Sequence, residues 1–391
     1  MHVAYVDPRP VPGLRAEAMQ LLQTVDGLAQ AGAEVTLIAP GPRDGTSVED
    51  ILGRPLHRNV TWLSLFDPRK RWWFPLNTSR PFFRRATTLI RSLSPDAIMC
   101  RHLGVADHVL RHLPRARLFF ELHEVFATSF EANHPQPDTA AQAKLDRLRN
   151  REQRVYRAAA GLITLTDELG QQAAERYSGI APRTTVPNAV DNVLAEASRR
   201  DKATPDRMRI LYLGGLHPWK GVNLAIEMMQ WLPTAHLSIV GSGSAERMEE
   251  LRTLSRDLGI GDRVDLVGPI MPPSERFSII ADHDLCVLPL LPNNVGTSPL
   301  KLFEYLTMGK PTVVADLPSL RRLVTDGEHV LLATAEDPRA FAHCLERLID
   351  DPALYERLSH DGQALASTQG WAQRGTRLLN AFKAEGTPDS A

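Results

Sequence analysis

The sequence predicts an α/β protein made of two successive Rossmann-like domains, each with a parallel sheet. Three observations carry that expectation. Short apolar runs of strand length alternate with amphipathic helical stretches along most of the 391 residues. The alternation falls into two series, separated by a polar, apolar-poor stretch at 195–207 that reads as a linker. The length suits two domains of ordinary size.

Taken in order, residues 2–6 are apolar enough for a buried strand. Leu14, Ala18, Leu21, Leu22, Val25 and Leu28 then recur at helical spacing, and Gly32 stops the helix. Further strands are expected at 34–39, 60–65, 97–100, 117–122 and 161–165. The second series places strands at 209–213, 235–240, 263–267, 284–288, 311–315 and 329–332. Three closing helices are expected at 338–348, 353–368 and 371–383, the last with Trp371, Leu378, Leu379 and Phe382 as a docking face. The expected divisions are 1–194, 208–369 and a C-terminal segment 370–391. No internal repeat is visible.

Composition narrows the classes. Hydrophobic residues make up 43%, enough for packed cores, and the net charge of −1 speaks against a general nucleic-acid binder. Cys100, Cys286 and Cys344 are far apart, match no metal spacing and read as buried free thiols, which suits a reducing, cytoplasmic setting. No apolar run approaches the roughly 20 residues of a membrane span, and the N-terminus reads as a strand, not a signal peptide. Gly241-Ser242-Gly243 is followed by Glu246 where a dinucleotide fingerprint needs a third glycine, which argues against NAD.

Two segments carry chemistry. In the first, Thr297 or Ser298 can cap a helix and Pro299 suits its first turn, before Leu300 and Lys301. Gly309 ends that helix and Pro311 prevents its resumption. Exposed N–H groups at such a start attract phosphate. The helix dipole alone disfavours Lys301 there, so a cation in that place suggests an anion to neutralise. Glu304, about one turn on, could accept hydrogen bonds from a ribose diol. The bland alternative is an exposed i, i+3 ion pair. The second segment is the loop Gly214, Gly215, Pro218, Lys220 and Gly221, after the first strand of the second series. There Lys220 could neutralise a leaving diphosphate, against the alternative of a solvated loop lysine.

These segments resemble the GT-B retaining glycosyltransferases of family 4. Residues 297–315 resemble the family's donor-site helix, and 212–221 its glycine-rich phosphate loop ending in Lys-Gly. Residues 239–243 resemble its "VGxG" turn. Residues 263–268, with Val267 and Gly268, resemble the strand lining its base pocket. Residues 186–191 resemble its "I-P-N-G-V-D". The order and spacing match across most of the chain. The resemblance implies two domains facing across a cleft and a last helix that crosses back to the first. It implies an N-terminal acceptor side and a C-terminal side for a nucleotide-diphosphate-sugar. His123-Glu124, at the end of an expected strand, matches the family's His facing the donor sugar; His102 is a weaker match. Gly13 matches a glycine of the first strand-to-helix turn, over the donor phosphates and acceptor. Two departures stand out: Gly215 replaces a frequent Arg, and Gly296 replaces the first acid of a paired-glutamate signature.

The resemblance implies retaining sugar transfer without metal or other cofactor, with His123, Lys220, Lys301 and Glu304 at the reacting end. An epimerase or phosphorylase on the same fold, or a nucleotide-sugar binder without turnover, are the alternatives. Residues 68–85, from Pro68 to Arg85, interleave Arg69, Lys70, Arg71, Arg80, Arg84 and Arg85 with five aromatics. That pattern suits a peripheral membrane contact or an anionic, lipid-linked acceptor; its bland reading is a solvated face over buried aromatics.

Overall fold

The computed structural model describes residues 1–13, 15–42, 45–66, 78–198, 208–268, 273–292 and 300–384. The chain forms two compact units. The first holds Met1–Asn188 and the chain from Trp371; the second holds most of the chain between them.

The first unit carries β1 (His2–Val6), β2 (Glu34–Ala39), β3 (Val60–Ser64), β4 (Ala97–Cys100), β5 (Leu118–Leu122), β6 (Gly161–Thr164) and β7 (Arg183–Thr185). Their order is β3-β2-β1-β4-β5-β6-β7, and every pairing is parallel. The second unit carries β8 (Arg209–Leu213), β9 (His236–Val240), β10 (Val264–Val267), β11 (Leu285–Leu288), β12 (Thr312–Ala315) and β13 (Leu331–Ala333). They run β10-β9-β8-β11-β12-β13, again all parallel. The inner strands are apolar on both faces, as a sheet covered by helices on both sides requires. All the strands expected from sequence are present, and β7 is an addition.

In each sheet the strand order reverses at one place, between β1 and β4 and between β8 and β11. Helices leave these neighbouring strands in opposite directions, which opens a crevice at their carboxyl ends. Asp7 and Arg101 follow the two strand ends in the first unit; Gly214 and Pro289 follow them in the second.

The last helix, Trp371–Ala384, packs along Ala16–Gln30 within the first unit. Two glycines make this close crossing possible. A Cβ on Gly27 would stand 2.3 Å from the Trp371 carbonyl oxygen, and one on Gly375 2.2 Å from the Gly27 oxygen. Leu378, Leu379 and Phe382 join the core with Val3 and Tyr5, and the Phe382 ring lies 4.5 Å from that of Phe119.

The stretch 195–207 is not linker throughout. Asn192–Ser198 is a helix, with Leu194 and Ala195 buried in the second unit's core; the remainder, 199–207, lies outside the described residues. Cys100, Cys286 and Cys344 are free and buried.

Candidate functional site

The second unit brings three of the expected residues together at its strand reversal. Helix Leu300–Thr307 buries Leu302, Phe303, Tyr305 and Leu306. The Tyr305 hydroxyl accepts the Leu213 N–H at 2.8 Å, which ties the helix to the end of β8. Lys301 and Glu304 are thereby held in place. The Lys301 ammonium donates to Glu304 Oε2 at 2.7 Å, and an Arg276 Nη2 lies 3.5 Å from Oε1. With the Glu304 side chain 9% exposed, this is not the solvated surface pair of the bland reading.

Lys220 closes the short turn Pro218–Lys220. Gly221 follows with φ of +74°, and a Cβ there would stand 1.7 Å from the Pro289 carbonyl oxygen. Only glycine lets this loop lie against the end of β11. The Lys220 ammonium sits 4.1 Å from the Trp219 ring centroid, and the His217 ring stacks on Trp219 at 5.7 Å. Burial, with Lys301 as a like charge, pulls the Lys220 pKa down to about 8. Burial also lowers that of Lys301, helped by Arg276 and opposed by Glu304. For Glu304 burial works the other way, but Lys301 and Arg276 outweigh it and hold the carboxyl below its ordinary range. Lys301 is paired with Glu304, and Lys220 stands close enough to feel Lys301 as a like charge. Such an arrangement can receive an anion.

Gly214 and Gly215 form the turn after β8, where the Gly215 carbonyl accepts the Tyr212 hydroxyl at 2.8 Å. Val267, 41% exposed, ends β10, and Gly268 follows it in open space. Thr297, Ser298 and Pro299, with Gly296, lie outside the described residues; Leu300 opens the described helix.

Gly13 and His123 belong to the first unit. Gly13 sits half-buried in the turn before helix Ala16–Gln30. His123 follows β5, and its Nε2 is 3.4 Å from Glu121 Oε2, within ion-pair reach but outside hydrogen-bond alignment. Behind it lies a buried network that the sequence reading missed. Glu121 Oε2 accepts the Tyr5 hydroxyl at 2.8 Å, and Oε1 accepts Arg374 Nη2 at 2.5 Å. Arg101 Nη1 donates to Gln20 Oε1 at 3.0 Å, and Gln20 donates on to Asn188. Asp7 is fully buried; one oxygen accepts the Arg9 N–H at 2.8 Å, and the other has no hydrogen-bond partner among the described residues. Burial, the largest influence, raises the Asp7 pKa against the pull of Arg9 and Arg101. Two signals could have found this network. Asp7 and Arg101 directly follow the strands of the reversal, and Glu121 is a lone charge in an otherwise apolar strand. His102 takes a structural part: its Nδ1 accepts the Val105 N–H at 3.2 Å and caps helix Leu103–His112.

Of the basic-aromatic stretch, 67–77 lies outside the described residues. Helix Arg80–Leu93 buries Phe82 and exposes Arg84 and Arg85. No helix of the described residues is long and apolar enough to cross a membrane.

Residues 17–189 match a family model described as a glycosyl transferase 4-like domain, and 207–351 one described as glycosyl transferases group 1. A D-inositol 3-phosphate glycosyltransferase of Acidothermus cellulolyticus is 30% identical over 59% of this chain and 54% of its own length. A namesake from Nocardiopsis dassonvillei is 26% identical over 66% of this chain and 62% of its own. The chain therefore spans a little over half the length of these curated relatives. Among solved structures, a sucrose-phosphate synthase of Thermosynechococcus elongatus superposes with a TM-score of 0.74 at 18% identity, covering 98% of both chains. The Anabaena protein HepE, solved with UDP and glucose, gives 0.69 at 19% identity, covering 98% of this chain and 99% of its own.

Proposed function

From the premise that this chain belongs to the family 4 glycosyltransferases of GT-B fold, we propose that it transfers a sugar from a nucleoside-diphosphate-sugar to an acceptor. The observation that carries this reading is the buried Lys220 ammonium held close to the Lys301–Glu304 pair, at the strand reversal of the second unit. A diphosphate supplies the missing negative charge. Lys220 and Lys301 neutralise the charge that builds on the departing nucleotide, with no metal required. Glu304 takes the ribose hydroxyls, exchanging part of its contact with Arg276 or Lys301 for them. Val267 and Gly268 border the base. Nucleotide departure and acceptor attack on the same sugar face retain the anomeric configuration without a protein nucleophile.

The neighbour solved with UDP makes a UDP-hexose the first donor to test. The relatives named for inositol 3-phosphate make a phosphorylated polyol the first acceptor. The acceptor binds the first unit, where His123 meets the substrate. The basic stretch 68–85 brings the enzyme to an anionic surface or acceptor.

A thermal-shift screen of nucleotide-sugars, followed by transfer assays on the hits, tests this reading. Turnover is expected to survive excess EDTA. A complete loss restored by Mg²⁺ or Mn²⁺ removes the metal-free mechanism, and binding without turnover for any acceptor removes the transferase. Changing Arg69, Lys70 and Arg71 to Ser is expected to weaken binding to anionic liposomes with nucleotide affinity intact. Indifference of the wild type to liposomes at low salt removes the surface contact.

A further inference from the structure

The first unit buries an ion pair that stability alone does not call for. Glu121 and Arg374 are 1% and 2% exposed, in a sheet whose neighbouring side chains are apolar. An apolar pair of the same volume would serve stability equally well or better. Yet Arg374 is fixed from three sides: Nη2 donates to Glu121, Nη1 to Thr24 Oγ1 at 3.1 Å, and Nε to the Pro187 carbonyl at 3.0 Å. Glu121 is fixed in turn by the Tyr5 hydroxyl. The carboxylate is thus immobilised on two sides and turns Oε2 toward a third group, His123. That imidazole, two residues along on the same face of the chain, is 20% exposed and leads from the network to the outside.

We propose that Glu121 and Arg374 are positioning residues for His123. Glu121 faces Nε2 and so favours the tautomer that carries its proton there, leaving Nδ1 as an acceptor for a substrate hydroxyl. Arg374, reaching in from the last helix, holds Glu121 at that task. The nitrogen that carries the proton in an imidazole is set by what the other side of the network offers it. The proposal rests on the reading that His123 meets the substrate, and it adds the two residues that aim it. The charged and titratable groups around the ring are Glu121, Arg101 and Arg374, with Tyr5 and Asp7 behind them. Burial lowers the His123 pKa most; Arg101 and Arg374 push the same way, and Glu121 pushes back.

The test uses the full chain labelled with ¹⁵N-histidine, with the His123 signal assigned through His123→Asn. The wild type is expected to show the Nε2–H tautomer. Glu121→Gln is expected to mix the tautomers and move the His123 titration to lower pH. Arg374→Met is expected to release Glu121 and mix the tautomers likewise, and Arg374→Lys to restore most of the wild-type behaviour. In transfer assays Glu121→Gln is expected to lower kcat by about tenfold or more, with the donor KM within about twofold. An unchanged tautomer and titration in Glu121→Gln overturns the proposal for Glu121, and an unchanged tautomer in a folded Arg374→Met overturns it for Arg374. If Arg374→Met does not fold, Glu121→Gln and Arg374→Lys decide. Full transfer by His123→Ala would instead sink the reading that His123 meets substrate, while the spectra would still decide whether Glu121 aims the ring.

Discussion

The two units place charge at the same topological point and treat it in opposite ways. In the first, Glu121 is paired directly with Arg374 and the Tyr5 hydroxyl, and Asp7 lies beside Arg9, with one Asp7 oxygen left without a hydrogen-bond partner among the described residues. In the second, Lys220, Lys301 and Arg276 outnumber Glu304. A carboxylate bonded on both oxygens, as Glu121 is, holds shape without a ligand. Burial first, and then the like charge of Lys301, depress the Lys220 pKa, a cost that a bound anion would offset. On the proposed readings, the two sheet reversals carry one charge cluster that serves as a mount and another that serves as a receptor.

The largest effect expected from this contrast is on stability, in the first unit. Arg374→Met leaves Glu121 buried without its main counterion and should cost about 3–5 kcal/mol, read by urea unfolding. A cost under about 1 kcal/mol, the level of a surface pair, erases the distinction from that side. In the second unit the sign of the stability change is different. Lys220→Ala should lower kcat/KM by about 10²–10³ while leaving the melting temperature level or raised, because a buried, repelled cation is removed. Joint loss of activity and stability makes Lys220 a structural group.

Glu304→Gln sharpens the contrast by separating two roles. Nucleoside-diphosphate binding should weaken by about 1–3 kcal/mol through the lost ribose contact. Inorganic pyrophosphate has no ribose and should bind as well or better, since the cation excess grows. Equal weakening for both ligands, by calorimetry, takes the ribose away from Glu304. The smallest effect is that of pH. In the free protein Lys220 loses its proton as pH rises through about 8, whereas a bound diphosphate favours the ammonium form. Binding near pH 8 should therefore take up a proton, and affinity should fall by up to about tenfold between pH 7 and pH 9. Calorimetry in buffers of different ionisation enthalpy measures that proton directly, and flat affinity over the range removes the linkage.

The same contrast explains what the sequence disclosed. The receptor cluster was legible because its parts lie in short segments whose local pattern states their geometry. Gly221 frees the turn that presents Lys220, and a three-residue step puts Lys301 and Glu304 on one helix face. Arg276 was not legible; it reaches Glu304 from helix Pro273–Ala281, which carries no pattern of its own. Apart from the strand-end places of Asp7 and Arg101 and the lone charge of Glu121, the mount was hidden. Its members come from β1, β4, β5 and the last helix, and contacts such as Arg374 to Thr24 span 350 residues. No window of sequence contains such a group. The linker expected at 195–207 gave way at its start because Leu194 and Ala195 had more to gain from the second unit's core than a polar window average suggests. His102 looked like a strand-end ligand but caps a helix, which can be judged only with the Val105 amide in view.

The Gly27–Gly375 crossing also sets an order of events during synthesis. The first unit is interrupted in sequence by the second and recruits its final helix, Trp371–Ala384, from beyond it. Until residues 371–384 have been made, the first sheet can form but its apolar face along Val3, Tyr5 and Phe119 waits for Leu378 and Phe382. The second unit, nearly continuous in sequence, can fold in that interval. Closing the first then joins segments hundreds of residues apart, a slow non-local step whose loop is shortened by the folded unit inside it.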